Sequence, residues 1–355
     1  MKNSYKNILV APLNWGLGHA TRCIPIIKEL EKNGWNPIIA SDGIALSLLK
    51  KEFPHLLALE LPSYNIVYSE KAKNLKWKLL RNSPKTLMAV WNEKKLASNW
   101  VSKYNLCGII SDNRMGLYSK KIPSVYITHQ LTVLSGKTTW FSSRLHQIFI
   151  RNFTECWIPD MKNAINLSGT MGHLRKTTLR IKYIGILSRF EKQNLPKKYN
   201  LMILLSGPEP QRTMLEEKLI DELQNYNATT IFIKGKVEKE KKIEVVNNIT
   251  FYNFMQTDQL EKALNESELV LCRSGYTSIM DLAKLNKKTF FIPTSGQYEQ
   301  EYLAKRNKRY GFGPYCKIED FKINKLEEAN LYNGFQNVQF PNINWQEIFS
   351  VFDKK

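Results

Sequence analysis

Residues 269–304 read LVLCRSGYTSIMDLAKLNKKTFFIPTSGQYEQEYLA. The apolar run Leu269 to Cys272 predicts a buried strand, Ser274-Gly275 a tight turn, and Ser278 to Leu285 a helix. A second strand is expected over Thr289 to Pro293, followed by a Gln-rich loop that opens another helix. This is a βαβ unit, and its loops fall at the carboxyl ends of parallel strands, where open α/β sheets bind ligands.

Outward from that unit the same alternation recurs. Upstream lie strands at Leu201 to Leu205, Thr229 to Lys234 and Ile249 to Tyr252, with helices at Thr213 to Gln224 and Thr257 to Glu266. The amino-terminal half repeats the pattern. Strands are expected at Asn7 to Pro12, Asn36 to Ala40, Cys107 to Ser111, Ser124 to Thr128, Cys156 to Pro159 and Lys182 to Ile186. Helices are expected at Arg22 to Asn33, Ile44 to Glu52 and Phe141 to Phe153. The polar, aperiodic stretch Ser188 to Asn200 is the candidate linker. The fold class is therefore α/β: a Rossmann-like domain over 1–187, a linker at 188–200, a second Rossmann-like domain over 201–335, and a tail at 336–355 with an expected terminal helix within Asn344 to Phe352.

The 355 residues are 43% hydrophobic and 24% charged, an ordinary globular balance. No apolar run approaches the ~20 residues of a membrane span, and MKNSYKNILVAPL enters a strand without a signal-peptide core, so a cytoplasmic protein is expected. Five widely spaced cysteines with no C-x-x-C pair argue against a disulfide framework or a zinc site. Lys+Arg 52 against Asp+Glu 32 gives +20, which favours anionic partners: nucleic acid, phosphorylated ligands or a membrane surface. A basic helix, zinc module or RNP-like strand that would mark a nucleic-acid binder is missing from the sequence, so no nucleic-acid partner is expected. Residues 64–101 interleave Trp77, Leu87, Met88, Trp91 and Trp100 with Lys71, Lys76, Arg81, Lys94 and Lys95, and Ser83-Pro84 reads as a helix start, so two helices are expected there. Their aromatic faces either pack into the first domain or rest on an anionic membrane.

Three loops carry candidate chemistry. Asn14-Trp15-Gly16-Leu17-Gly18-His19 joins the first strand to the first helix; Gly16 and Gly18 allow close backbone approach, and His19 stands where a general base would. Asp112 ends another strand and is the reserve base, and His129, after the strand Ser124 to Thr128, is a candidate for substrate contact. Ser206, Gly207 and Arg212 sit in a second strand-to-helix loop suited to a phosphate, without the lysine of a Walker loop. Arg273, Ser274, Gly275, Tyr276 and Thr277 form a third such loop, with Asp281 one turn into its helix, where a carboxylate could accept both ribose hydroxyls. Gln297, Glu299 and Gln300 supply groups of the kind that read sugar hydroxyls. The combination points to a nucleotide-sugar.

CRSGYTSIMDLA, IPTSGQYEQEYLA and NWGLGHATR together resemble glycosyltransferase family 28, most specifically over 249–304. The resemblance implies the GT-B architecture of two facing Rossmann-like domains. It places the family's R-S-G loop on Arg273, Ser274 and Gly275, its ribose-binding acid on Asp281, its base-contacting backbone on Phe254-Met255, and its sugar-reading glutamine near Gln300. The family's glycine-rich amino-terminal loop falls on Asn14 to His19, with Asn14 and Trp15 in place of two glycines, so the reaction class is carried over rather than the acceptor. The resulting expectation is inverting transfer from a UDP-sugar to a hydroxyl of a glycolipid or other acceptor. No cofactor is expected, nor a metal, since no D-x-D sequence is present. A UDP-sugar 2-epimerase of the same fold is the alternative.

Overall fold

A computed structural model describes residues 6–64, 72–162, 165–236, 238, 240–336 and 338–353, with side chains of the long third helix described from Leu87 onward. The chain divides into two compact units. The first gathers Met1–Val67, Lys73–Leu187 and Phe340–Lys355, and the second is built on Ser188–Gln339.

The first unit holds seven parallel strands: β1 (Asn7–Pro12), β2 (Asn36–Ser41), β3 (Ala58–Glu60), β4 (Leu106–Asp112), β5 (Ser124–Ile127), β6 (Glu155–Ile158) and β7 (Ile181–Tyr183), in the order β3-β2-β1-β4-β5-β6-β7. Strands buried on both faces need continuous apolar runs, and Ile8 to Ala11 are fully buried accordingly. Helices α1 (Gly18–Lys32), α2 (Gly43–Glu52), α3 (Ala72–Lys103) and α4 (Thr139–Ile150) alternate with them. The strand order reverses between β1 and β4, so the loops leaving those two strands open into the crevice where doubly wound sheets bind ligands.

The second unit holds β8 (Tyr199–Leu204), β9 (Thr230–Ile233), β10 (Ile243–Val246), β11 (Ile249–Tyr252), β12 (Ser267–Cys272) and β13 (Lys288–Phe291), in the order β10-β11-β9-β8-β12-β13. Its helices are α5 (Gln211–Leu223), α6 (Thr257–Asn265), α7 (Tyr276–Lys284) and α8 (Tyr298–Arg309). Here the reversal lies between β8 and β12, which puts the Ser206 and Arg273 loops side by side. Leu201, Ile203, Phe232, Leu271 and Phe290 form the core beneath α5.

Four expectations change. The second sheet is not wholly parallel: β10 runs antiparallel to β11 through the two-residue turn Asn247-Asn248, with Asn247 at φ 53°. Val-Asn-Asn-Ile is a hairpin signal that the parallel alternation masks. Residues 72–103 form one helix rather than two, so Ser83-Pro84 does not start a helix; one lost backbone bond is tolerated within 32 residues. The tail belongs to the first unit: α9 (Trp345–Phe349) and a following 3₁₀ turn bring Phe349 and Phe352 against Trp157, with ring centroids 6.5 and 6.0 Å away. Gly108 of β4 accommodates this, because a Cβ there would lie 2.4 Å from the Phe352 ring. The expected linker is packed onto the second unit through Gln193, whose backbone N–H donates to Asn265 and whose side chain donates to Glu261.

Of the basic aromatic segment, Trp77 lies outside the described side chains. Trp100 is buried in the first core, whereas Leu87, Met88 and Trp91 are exposed, with Lys95 over the Trp91 ring at 5.9 Å.

Candidate functional site

In the first unit α1 begins at Gly18, earlier than its hydrophobic period suggests, so His19 stands in its first turn and Arg22 lies one turn on along the same face. Gly16, at φ 73°, makes the turn that feeds the helix. Asn14 explains its own departure from glycine: its side chain donates to Asp42 at 3.2 Å and accepts the Ala45 N–H at 3.3 Å, tying the loop to the start of α2. Trp15 beside it is 44% exposed.

Four side chains meet at the carboxyl ends of β4 and β5. His19 Nδ1 lies 2.8 Å from Asp112 Oδ1, and Arg22 spans Asp112 with Nε on Oδ2 and Nη2 on Oδ1. Arg22 Nη2 is also 2.8 Å from His19 Nδ1, and Arg22 Nη1 is 3.0 Å from His129 Nδ1. Asp112 is fully buried. Burial would raise its pKa, but the Arg22 charge and then His19 hold the carboxyl well below the usual carboxylate range. It is an ionised partner for His19 and has no route to a substrate proton, which removes it as the reserve base. Burial and then Arg22 lower the His19 pKa, with Asp112 opposing them, so the imidazole is neutral at pH 7. Next to this cluster Arg114 joins Asp42 and Glu93, and Tyr64 donates to Glu93 at 2.7 Å, a buried network that fixes the ends of β2 and β4.

In the second unit Ser206 and Gly207 are exposed at the end of β8, open to a ligand. Arg212 is not: it is buried, with Nε donating to Glu209 at 2.7 Å and Nη1 donating to Glu216 at 2.6 Å and to the Lys234 carbonyl. Two carboxylates neutralise it, so its expected role in meeting phosphate charge is withdrawn. Arg273 is likewise internal, donating to the carbonyls of Ile292, Pro293 and Gln211, and burial lowers its pKa to about 10. It fastens three loops together. Ser274 Oγ donates to the Gln300 carbonyl at 2.8 Å, closing the β12 loop onto α8. Tyr276 is buried beneath this loop, against its expected contact with substrate, because the first turn of α7 points it into the core. Gly275 has φ −71°, so the backbone does not need glycine; a Cβ there would meet nothing within 4 Å, and the glycine leaves an open approach next to Thr277.

Asp281 is half-buried and accepts the Ser188 hydroxyl at 2.7 Å. Burial raises its pKa to about 6, with Arg189 and Ser188 opposing. The sequence reading missed Ser188 and Arg189, which lie in the expected linker. Phe254 and Met255 are half-buried in the loop after β11, which the buried Asn253 side chain braces by accepting the Lys242 and Phe254 N–H groups. Gln300 accepts the Thr294 N–H at 2.8 Å and donates to Gln297 at 2.7 Å, while Glu299 stands half-buried at the start of α8. Arg273 Nε, Thr294 Oγ1 and Gln297 Nε2 are buried without a hydrogen-bond partner, which suits a site whose polar contacts are completed by a ligand. Thr294 was not foreseen. Among the described residues no cluster of His, Cys, Asp and Glu could hold a metal ion.

Residues 210–344 match the glycosyltransferase family 28 C-terminal domain. The chain is a GT-B glycosyltransferase that resembles family 28. Two curated relatives are each named UDP-N-acetylglucosamine--N-acetylmuramyl-(pentapeptide) pyrophosphoryl-undecaprenol N-acetylglucosamine transferase. The one from Haemophilus ducreyi is 21% identical, covering 81% of this chain and 78% of its own. The one from Glaesserella parasuis is 23% identical, covering 91% and 88%. Among solved structures, Acinetobacter baumannii MurG superposes with a TM-score of 0.59 at 12% identity, over 99% of this chain and 100% of its own. The calicheamicin glycosyltransferase CalG4 gives 0.61 at 11% identity, over 93% and 90%. These likenesses support the GT-B fold, and the epimerase alternative is not favoured, since the matched family and these named relatives are transferases.

Proposed function

We propose that this glycosyltransferase moves a hexosyl or N-acetylhexosaminyl group from a UDP-sugar to a hydroxyl of a membrane-held acceptor, with inversion and without a metal. The observation that carries the reading is the His19–Asp112 pair. With a proton on Nδ1 donated to Asp112, Nε2 is the basic atom. As the acceptor oxygen attacks the sugar C1, its proton passes to Nε2. The bond from C1 to the phosphate oxygen breaks, and UDP leaves with the electron pair. Asp112 stabilises the imidazolium that forms.

On the donor side, the amino ends of α5 and α7 with Ser206 and Gly207 receive the diphosphate, and no D-x-D sequence is present to hold a metal. Asp281 accepts the ribose hydroxyls, Phe254 and Met255 meet the base, and Gln297, Glu299 and Gln300 read the sugar. The membrane part rests on α4, where Trp140 (77% exposed), Phe141, Leu145 and Ile148 form an exposed stripe beside exposed Lys137, Arg144 and Arg151. The sequence reading looked for that surface only in residues 64–101. Among the described residues no helix is long and apolar enough to cross a membrane.

Release of UDP from UDP-N-acetylglucosamine and related UDP-sugars, with and without lipid extract, tests the proposal. His19→Ala and His19→Gln should reduce turnover by about 10²–10⁴-fold with donor affinity unchanged. Near-normal turnover in both variants refutes the base assignment.

A further inference from the structure

His19 Nδ1 faces two groups with opposite demands. Asp112 Oδ1, at 2.8 Å, asks it to donate; Arg22 Nη2, also at 2.8 Å, asks it to accept. One nitrogen satisfies only one of them. If the proton sits on Nε2, the Nδ1 lone pair points at a carboxylate oxygen, and the outward nitrogen is no base. If it sits on Nδ1, Asp112 is satisfied and Nε2 is bare. Arg22 loses little by this choice, because Nε and Nη2 remain on the carboxylate and Nη1 remains on His129.

The same guanidinium fixes the second histidine the other way. A guanidinium has no acceptor, so its 3.0 Å contact makes His129 Nδ1 the acceptor and leaves the proton of the neutral ring on Nε2. The Gln130 amide nitrogen lies 3.5 Å from that nitrogen, a long contact, and turning the amide over would put its oxygen there instead. His129 is buried and held by the end of β5, so its ring cannot swing to another partner without breaking this contact.

We propose that Arg22 is a positioning residue that, together with Asp112, sets the two histidines in opposite tautomers: Asp112 leaves His19 bare at Nε2, to take the acceptor proton, and Arg22 leaves His129 protonated at Nε2, as a hydrogen-bond donor. This rests on His19 being the base. Its three-residue offset from His19 places Arg22 on the same face of α1.

Nitrogen-15 NMR of the full-length chain labelled at its five histidines reads the tautomers directly, with assignment by single His→Gln variants. The wild type should show His19 protonated at Nδ1 and His129 protonated at Nε2. Arg22→Lys keeps the charge but not the fork, and should leave His129 a mixture of tautomers and lower turnover at least tenfold with the donor dissociation constant unchanged. Arg22→Gln also removes a charge. Among the described residues the charged or titratable groups facing His19 are Arg22, Asp112 and His129, so the acid limb of the pH–rate profile should move to higher pH in Arg22→Gln and not in Arg22→Lys. A merely structural arginine would lower the active fraction without moving that limb or the tautomers. Should Arg22→Gln fail to fold, Arg22→Gln with Asp112→Asn removes the carboxylate left unpaired and carries the NMR test at His129. His129 protonated at Nδ1 in the wild type, or unchanged tautomers and acid limb in Arg22→Gln, overturns the proposal. Retained turnover in His19→Gln would instead overturn the base reading, while the tautomers still judge Arg22 independently.

Discussion

Asp281→Asn should make the protein more stable and less able to bind its donor. Burial raises the Asp281 pKa from the usual 3.8 to about 6, so the folded state holds a proton that the unfolded chain gives up between those values. Stability from this group is fully present below about pH 4 and lost as pH rises through about 6. At ~1.4 kcal/mol per pKa unit, the shift of about two units is a cost of roughly 3 kcal/mol at pH 7. Asparagine is the permanent counterpart of the protonated acid and still offers an oxygen to Ser188. Thermal unfolding from pH 4 to 8 should therefore show the variant equal to wild type near pH 4 and more stable by up to about 3 kcal/mol at pH 7. Spread over a unit of this size, that is about 6–12 °C in midpoint. The ribose pays for that stability: UDP should raise the wild-type midpoint and have little effect on the variant, with affinity reduced at least about tenfold. A variant less stable than wild type at pH 7, a difference that does not vary with pH, or an intact UDP shift refutes the reasoning.

Because burial and Arg22 lower the His19 pKa, kcat/KM should stay flat from pH 8 to 7 and fall only below about pH 6.5; a fall that begins above pH 7 contradicts a neutral His19. Replacing Trp140 and Phe141 together by serine should abolish flotation with anionic vesicles at low salt, since each aromatic contributes about 1.5–3 kcal/mol when buried, and should spare turnover of a water-soluble acceptor. Flotation equal to wild type removes α4 from the membrane surface. Arg114→Met leaves Asp42 and Glu93 buried without their cation and should cost about 3–5 kcal/mol in denaturant unfolding; a loss below about 1 kcal/mol would mean that the network is not cooperative. EDTA should leave UDP release unchanged, and inhibition reversed by a divalent cation would oppose the metal-free reading.

The parallel alternation of both halves was legible because fully buried strands leave continuous apolar runs such as Ile8 to Ala11, and the loops that follow them are set by topology. His19, Asp112 and Asp281 could be singled out as candidates because strand ends and helix starts have positional meaning, although the sequence offered Asp112 as a base and the structure shows it buried as the partner of His19 and Arg22. What could not be read was who neutralises whom. Arg212 and Arg273 look like phosphate ligands in a linear sequence, yet Glu209 and Glu216 claim the first and backbone carbonyls claim the second. Arg22 and Ser188 were passed over for the converse reason: their roles arise from contacts 90 and 93 residues away in sequence. The stripe on α4 escaped notice because Trp140, Phe141, Leu145 and Ile148 are as consistent with a core face as with an exposed one, and only packing separates the two.

The closure of the first unit by Trp345 to Phe352 bears on how the protein is made. The second unit is an insertion in the first, because the chain leaves at Leu187 and returns at Phe340. During synthesis all of β8 to β13 has emerged before Phe349 and Phe352 can cover Trp157. The domain that begins first is completed last, and until then it keeps a tryptophan-lined gap open. A ribosome stalled before residue 345 would hold a finished second unit on an unfinished first one.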